Sequence, residues 1–152
     1  LWDLGYAVDT LETATDWQNI PALVHDIETG LRQGLQEIGE RVHVFTHLSH
    51  LYPYGSSLYT TYLFRIVADP EETLRRWQVL KTAASHAIIA RGATISHQHG
   101  VGLDHLPYIE AEKGPLGLDI IADILQRCDP QGIMNAGKMI REQRLLPRHG
   151  SP

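Results

Sequence analysis

The chain has 152 residues, 43% hydrophobic and 20% charged, which is enough apolar material for one ordinary folded domain and excludes a disordered chain. Its formal charge of −5 supplies no basic field of the kind that attracts nucleic acid or anionic membranes, so no nucleic-acid partner is expected. Cys128 is the only cysteine, which rules out an internal disulfide and a multi-cysteine zinc site; no run approaches the roughly 20 apolar residues needed to span a bilayer, and a reducing, cytoplasmic setting is the expectation.

Residues 6–17 (YAVDTLETATDW) are rich in β-branched and aromatic types and predict a first strand. Ile20, Leu23, Val24, Ile27, Leu31, Leu35 and Ile38 then recur at steps of three and four, one stripe of a helix, with Asn19 as N-cap and Pro21 in the first turn. Val42, Val44, Thr46 and Leu48 alternate with Arg41, His43, Phe45 and His47, a period of two that marks a strand. A second alternating run places Leu58, Thr60, Tyr62, Phe64 and Ile66 on one face, and PYGS at 53–56 supplies the turn of an antiparallel pair.

Asp69, Pro70 and Glu72 form the signature of a capping box, opening a helix to about Ala90 that Gly92 ends. Ala93–Ser96 is expected to add a short fourth strand. Strand, helix, strand, strand, helix, strand is the order of a ferredoxin-like unit. The fold class is therefore α+β: an antiparallel sheet with helices on one face, plus additional C-terminal helices. One of these runs from Pro115 to Cys128, with Ile121, Ile124, Leu125 and Cys128 on one face and Asp129-Pro130 as its stop. Residues 1–140 read as the domain and 141–152 (REQRLLPRHGSP) as a loosely held tail.

Three segments concentrate chemistry. TISHQHGVGLDH at 94–105 holds three histidines, a glutamine and two glycines; backbone can approach a ligand at Gly100 and Gly102, and imidazole is the side chain suited to proton transfer near neutral pH. HLSHLYPYGSSLY at 47–59 gathers His47, His50, Tyr52, Tyr54 and Tyr59 around one turn. Tyr59 and Tyr62 read equally well as packed strand aromatics, whereas Tyr52 adjoins the turn. DPQGIMNAGKMI at 129–140, taken alone, is a chain reversal with a lysine.

In this order and spacing, "DTLETA", "HLSHLYPYGSSLYTTY", "ATISHQHGVGLDHLPYIEAEKGPLGLD" and "DPQGIMNAGK" resemble the C-terminal domain of FAD-linked oxidases of the vanillyl-alcohol oxidase superfamily, from about Tyr6 to Ile140. Within it they look most like the alkyldihydroxyacetonephosphate synthase branch. That resemblance implies a full-length enzyme with FAD, bound mostly by an N-terminal domain of the same polypeptide. It also implies exchange of an acyl for an alkyl group on a ketone phosphate through a flavin adduct, and peripheral contact with a lipid substrate. Tyr52 would be the general acid/base, with His97 and His99 assisting proton transfer or binding phosphate. Gln98, His50 and His105 would contact substrate, and Gly100, Asn135 and Lys138 the cofactor. Metal-dependent members carry two histidines and a glutamate where Tyr52, Tyr59 and Gln98 stand, so no metal is expected there. The synthase branch has three consecutive histidines where His97, Gln98 and His99 stand.

The start at Leu1 and the lack of a glycine-rich phosphate loop suggest a piece of a longer flavoenzyme, colourless and inactive alone, whose exposed domain-facing surface can drive homodimers. The competing readings are an FAD-dependent 2-hydroxy acid dehydrogenase on the same scaffold and a stand-alone ferredoxin-like ligand-binding or dimerisation module.

Overall fold

A computed structural model describes residues 1–140; the tail at 141–152 lies outside the described residues. The chain divides into two compact units, the first Leu1–His99 and the second beginning at Gly100.

In the first unit, β1 (Tyr6–Asp16), α1 (Ile20–Gln33), β2 (His43–Leu51), β3 (Gly55–Arg65) and α2 (Pro70–Ala90) follow one another. The sheet is antiparallel, in the order β1-β3-β2. Its register pairs Asp9 with Tyr62 and Leu11 with Thr60 on one side of β3, and Val44 with Tyr62 on the other. Side chains alternate across a strand, so these residues share one face. That face meets the helices: Lys81 and Trp77 of α2 both bond the Asp9 carboxylate, and Arg32 of α1 donates to the Val44 carbonyl at 2.8 Å. Leu23, Ile27 and Leu31 of α1, Leu80, Ala84 and Ile88 of α2, and Leu11, Val44, Leu58, Tyr62 and Phe64 of the sheet are buried and form the core. The α+β, ferredoxin-like expectation holds.

Local details depart from expectation. Asn19 does precede α1, but its side chain caps nothing, and the helix stops at Gln33. Leu35 and Ile38 therefore fall beyond it, Ile38 in a separate short turn, Gln36–Ile38. Asp69 caps α2 by accepting from the Glu71 N–H at 3.0 Å, yet no capping box closes, because Glu72 is taken by Arg75 and Arg76. Ala93–Ser96 is not a strand. Instead Thr94 and His97 donate their backbone N–H to the carbonyls of Ala14 and Glu12, so the segment runs beside the edge of β1 where a fourth strand would pair. The Thr94 carbonyl accepts from the Thr13 hydroxyl at 2.6 Å, and a side chain thus takes the place of a ladder bond.

In the second unit, α3 spans Ile109–Cys128 and breaks at Gly114 (φ 68°, ψ 167°), so the straight helix begins at Pro115 as expected and an extra turn precedes it. Asp129 ends it. The buried positions are Leu118 and Ala122, whereas Ile124 and Cys128 are exposed; the expected face has the correct period and the wrong phase.

Candidate acid–base site

Glu12 is the centre of a polar cluster in the first unit. It pairs across the sheet with Tyr59, and its parity places it on the face opposite α1 and α2. Although only 3% of its side chain is exposed, none of its oxygens is stranded. Ser49 donates to Oε1 at 2.6 Å. Imidazole nitrogens lie close: His97 Nδ1 at 3.2 Å and His50 Nδ1 at 3.4 Å from Oε1, and His99 Nε2 at 3.4 Å from Oε2. Burial alone would push this carboxyl up, but hydrogen bonds from Ser49, Ser57 and His97 and the His97 charge outweigh it, leaving Glu12 below the usual carboxylate value. It is ionised at neutral pH.

Two irregularities bring the partners in. Between Leu48, opposite Leu58, and Leu51, opposite Ser56, β2 carries one residue more than β3, a bulge that re-aims side chains. The displaced backbone is satisfied by serines: His50 N–H donates to Ser57 Oγ at 2.9 Å, and Ser56 Oγ donates to the His50 carbonyl at 2.9 Å. Ser49 and His50 are thereby both turned toward Glu12. At the hairpin tip, Tyr52 N–H bonds the Gly55 carbonyl at 2.8 Å, leaving only Pro53 and Tyr54 in the loop. Trp17, just past β1, donates its indole N–H to the carbonyls of Tyr52 and Pro53 at 3.2 and 3.3 Å. Tyr52, 42% exposed, then meets His97 Nε2 through its hydroxyl at 2.9 Å. The result is a chain from Tyr52 hydroxyl through imidazole to buried carboxylate, open to solvent at its tyrosine end.

Of the residues singled out from sequence, Tyr52, His97, His99 and His50 are brought together here. Gln98, between the histidines, is exposed and holds a positive φ of 62°, a conformation rare outside glycine. Tyr59, read as a packing residue, donates to Thr10 and also stacks on His47 and meets the edge of His99, with ring centroids 5.4 and 5.7 Å apart. The others lie in the second unit. His105 Nδ1 lies 3.0 Å from the Gly100 carbonyl and braces its loop. Asn135 and Lys138 line a depression of about 290 Å³ with Leu125, Cys128, Met134 and Met139. Glu12, Ser49 and Ser57 went unassigned in the sequence, Glu12 despite lying within "DTLETA".

Among the described residues, Glu12, His50 and His97 present donor atoms within 4.8 Å of one another, a set able to hold a metal ion. It differs from the Tyr52, Tyr59 and Gln98 positions considered above, and Ser49 already bridges Glu12 and His50, at 2.6 and 3.1 Å.

Residues 1–139 match the model of the FAD linked oxidases, C-terminal domain. The chain belongs to this family. Among curated proteins, the domain is 26% identical over 136 residues to the alkyldihydroxyacetonephosphate synthase of Trypanosoma brucei brucei, covering 90% of this chain and 22% of that protein. It is 35% identical over 77 residues to the mitochondrial D-lactate dehydrogenase [cytochrome] of Arabidopsis thaliana, covering 49% of this chain and 14% of that protein. A solved alkyldihydroxyacetonephosphate synthase superposes with a TM-score of 0.51 or better over most of the domain; in its P212121 crystal form the TM-score is 0.59 at 20% identity, over 91% of this chain and 22% of that one. The domain thus spans less than a quarter of these relatives' length. Its family is one of FAD-linked enzymes, and none of its described helices is long and apolar enough to cross a membrane.

Proposed function

We propose that the domain forms the substrate side of a flavoenzyme resembling alkyldihydroxyacetonephosphate synthase, in which Tyr52 is the general acid/base for acyl-for-alkyl exchange on a ketone phosphate. The observation that carries this reading is the 2.9 Å contact between the Tyr52 hydroxyl and His97 Nε2. A phenol with an ordinary pKa near 10 is a poor base at pH 7, and a hydrogen-bonded imidazole backed by a carboxylate gives its proton somewhere to go. His50 and His99, anchored on Glu12 yet partly exposed, suit an anionic substrate group, with Gln98 beside them.

The helices of the first unit do not offer FAD a place for its pyrophosphate. Its pyrophosphate calls for a helix N-terminus or glycine-rich cradle, but α2 opens with Asp69, Glu71 and Glu72 and α1 with Ile20 and Pro21, which removes an N–H. The proposal therefore assigns most of the flavin to an N-terminal domain of the same polypeptide, and to this domain the proton steps and the substrate contacts. Asn135 and Lys138, on the second unit's depression, are assigned a contact with the cofactor.

A second reading, oxidation of a 2-hydroxy acid, is favoured by the 35% identity to a D-lactate dehydrogenase over half the chain. Single-turnover spectra separate the two: net oxidation leaves the flavin reduced, exchange returns it oxidised. For Tyr52, the test is Tyr52→Phe in the full-length enzyme. Turnover should fall about 10²- to 10⁴-fold, the usual contribution of a general acid/base, with flavin content and folding intact. Tyr59→Phe is the control, losing one hydrogen bond to Thr10 at about 1 kcal/mol of stability. Near-normal turnover by Tyr52→Phe sinks the assignment.

A further inference from the structure

We infer that Glu12 is the positioning residue of this site: it fixes the tautomer of His97 and holds the charge that imidazole gains on taking the Tyr52 proton. The inference rests on the acid–base reading of Tyr52. Its ground is a matter of valence. An ionised carboxylate can only accept hydrogen bonds, so the His97 nitrogen 3.2 Å from Oε1 is the one that carries hydrogen. The neutral ring is then the Nδ1–H form, and Nε2, 2.9 Å from the Tyr52 hydroxyl, is left with its lone pair aimed at the phenol. Had Nε2 carried the hydrogen, His97 would face Tyr52 as a donor and be unable to accept its proton.

The surroundings keep that arrangement in place. The His97 backbone N–H bonds the Glu12 carbonyl at 3.0 Å, so the residue that orients the ring also anchors its main chain. Ser49 holds Oε1 from the other side at 2.6 Å and is itself bonded to Ser57 at 2.6 Å. The titratable groups facing Glu12 are His50 from the β2 bulge and His97 and His99 from the segment after α2, with Tyr52 reached through His97 and Tyr59 against His99. When Tyr52 passes its proton to Nε2, an O–H bond breaks and an N–H bond forms, and the resulting imidazolium lies against the Glu12 carboxylate. When the proton returns, the Nδ1–H form is restored.

Long-range ¹⁵N–¹H spectra of the imidazoles test this in the chain itself, with the His97 signals assigned by their loss in His97→Asn. At a pH where the ring is neutral, His97 should be in the Nδ1–H form, the minor tautomer of free histidine. In Glu12→Gln, which keeps an acceptor oxygen but removes the charge and adds an amide donor, the Nδ1–H preference of His97 should weaken. In the full-length enzyme, Glu12→Gln should lower kcat on the order of 10²-fold, within the range for acid–base groups, with KM and flavin content nearly unchanged. An Nε2–H ring in the unsubstituted chain, or an undiminished Nδ1–H preference in Glu12→Gln, overturns the role of Glu12, and the first of these can be read even if Glu12→Gln fails to fold. Normal turnover by Tyr52→Phe alongside an Nδ1–H ring overturns the acid–base reading instead.

Discussion

On the helix side of the sheet, Asp9 offers the sharpest test of how the first unit is held together. One oxygen, Oδ2, accepts from Tyr62 at 2.6 Å, Trp77 at 2.7 Å and Lys81 at 3.0 Å, tying β3 and α2 to β1. Asp9→Ala removes the acceptor from all three. Lys81, 11% exposed in its side chain, keeps only the Thr10 carbonyl at 2.9 Å, and a charge left without its partner in a largely dry position costs about 3–5 kcal/mol. Because the Asp9 side chain is 30% exposed, water relieves part of this, and about 2–3 kcal/mol is the expected loss. At about 4–8 °C per kcal/mol for a unit of this size, the Tm should fall by roughly 10–20 °C in a thermal melt followed by circular dichroism. Adding Lys81→Met should recover part of the loss. Acid supplies a second check. Burial pushes the Asp9 carboxyl up, but Tyr62, Lys81, Trp77 and the Thr10 backbone together hold it below its usual value. A depressed carboxyl stabilises the fold above the unfolded value of about 3.9 and loses that contribution as pH falls through the lower folded value. The gap between Asp9→Ala and the unsubstituted chain should therefore narrow below about pH 4. A loss under about 1 kcal/mol at pH 7, or a gap independent of pH, refutes the account.

The purified chain should be colourless, since α1 and α2 open with a proline and with carboxylates where a flavin pyrophosphate would need free N–H groups; a stoichiometric flavin band at visible wavelengths contradicts this. Gly55→Ala should destabilise the first unit by about 3 kcal/mol, the upper end for overpacking, because its Cβ would overlap the Thr15 backbone carbonyl and backbone cannot swing aside as a side chain can. A urea midpoint unchanged from the parent would show that the hairpin can shift away from β1.

The main elements were legible because their signals are periodic. β2 and β3 alternate with period two, and Leu23, Ile27 and Leu31 mark the buried stripe of α1. Phase is harder to read than period when apolar residues crowd a helix: with Leu116, Leu118, Ile120, Ile121, Ile124 and Leu125 all present in α3, several stripes look alike, and the one centred on Leu118 and Ala122 is buried. Competition for hydrogen bonds explains two further misses. Arg75 and Arg76 draw Glu72 away from a capping box, and Thr13 claims the Thr94 carbonyl from a fourth strand. In the site, histidines and a tyrosine beside a turn drew notice by type. Glu12 did not, since one charged residue in an alternating strand reads as its solvated face. Its partners Ser49 and His97 lie 37 and 85 residues away, a distance that no local pattern bridges.

The bulge in β2 shows why the site and the fold cannot be separated. In a regular strand Ser49 and His50 would point to opposite faces, and only one could reach Glu12. The extra residue between Leu48 and Leu51 breaks that alternation locally and lets both Ser49 Oγ and His50 Nδ1 approach the same carboxylate oxygen. Downstream of the bulge the register resumes with Leu51 opposite Ser56, which sets where the hairpin turns and so where Tyr52 stands. Register in a hairpin is fixed jointly by its turn and its side-chain pattern. Ser56 and Ser57 fill that role here by bonding the displaced His50 carbonyl and N–H, positions a regular ladder would have satisfied with backbone. The two serines thus belong to the acid–base site as much as the histidines do: they hold open the irregularity that places Tyr52, His50 and Ser49 around one buried charge.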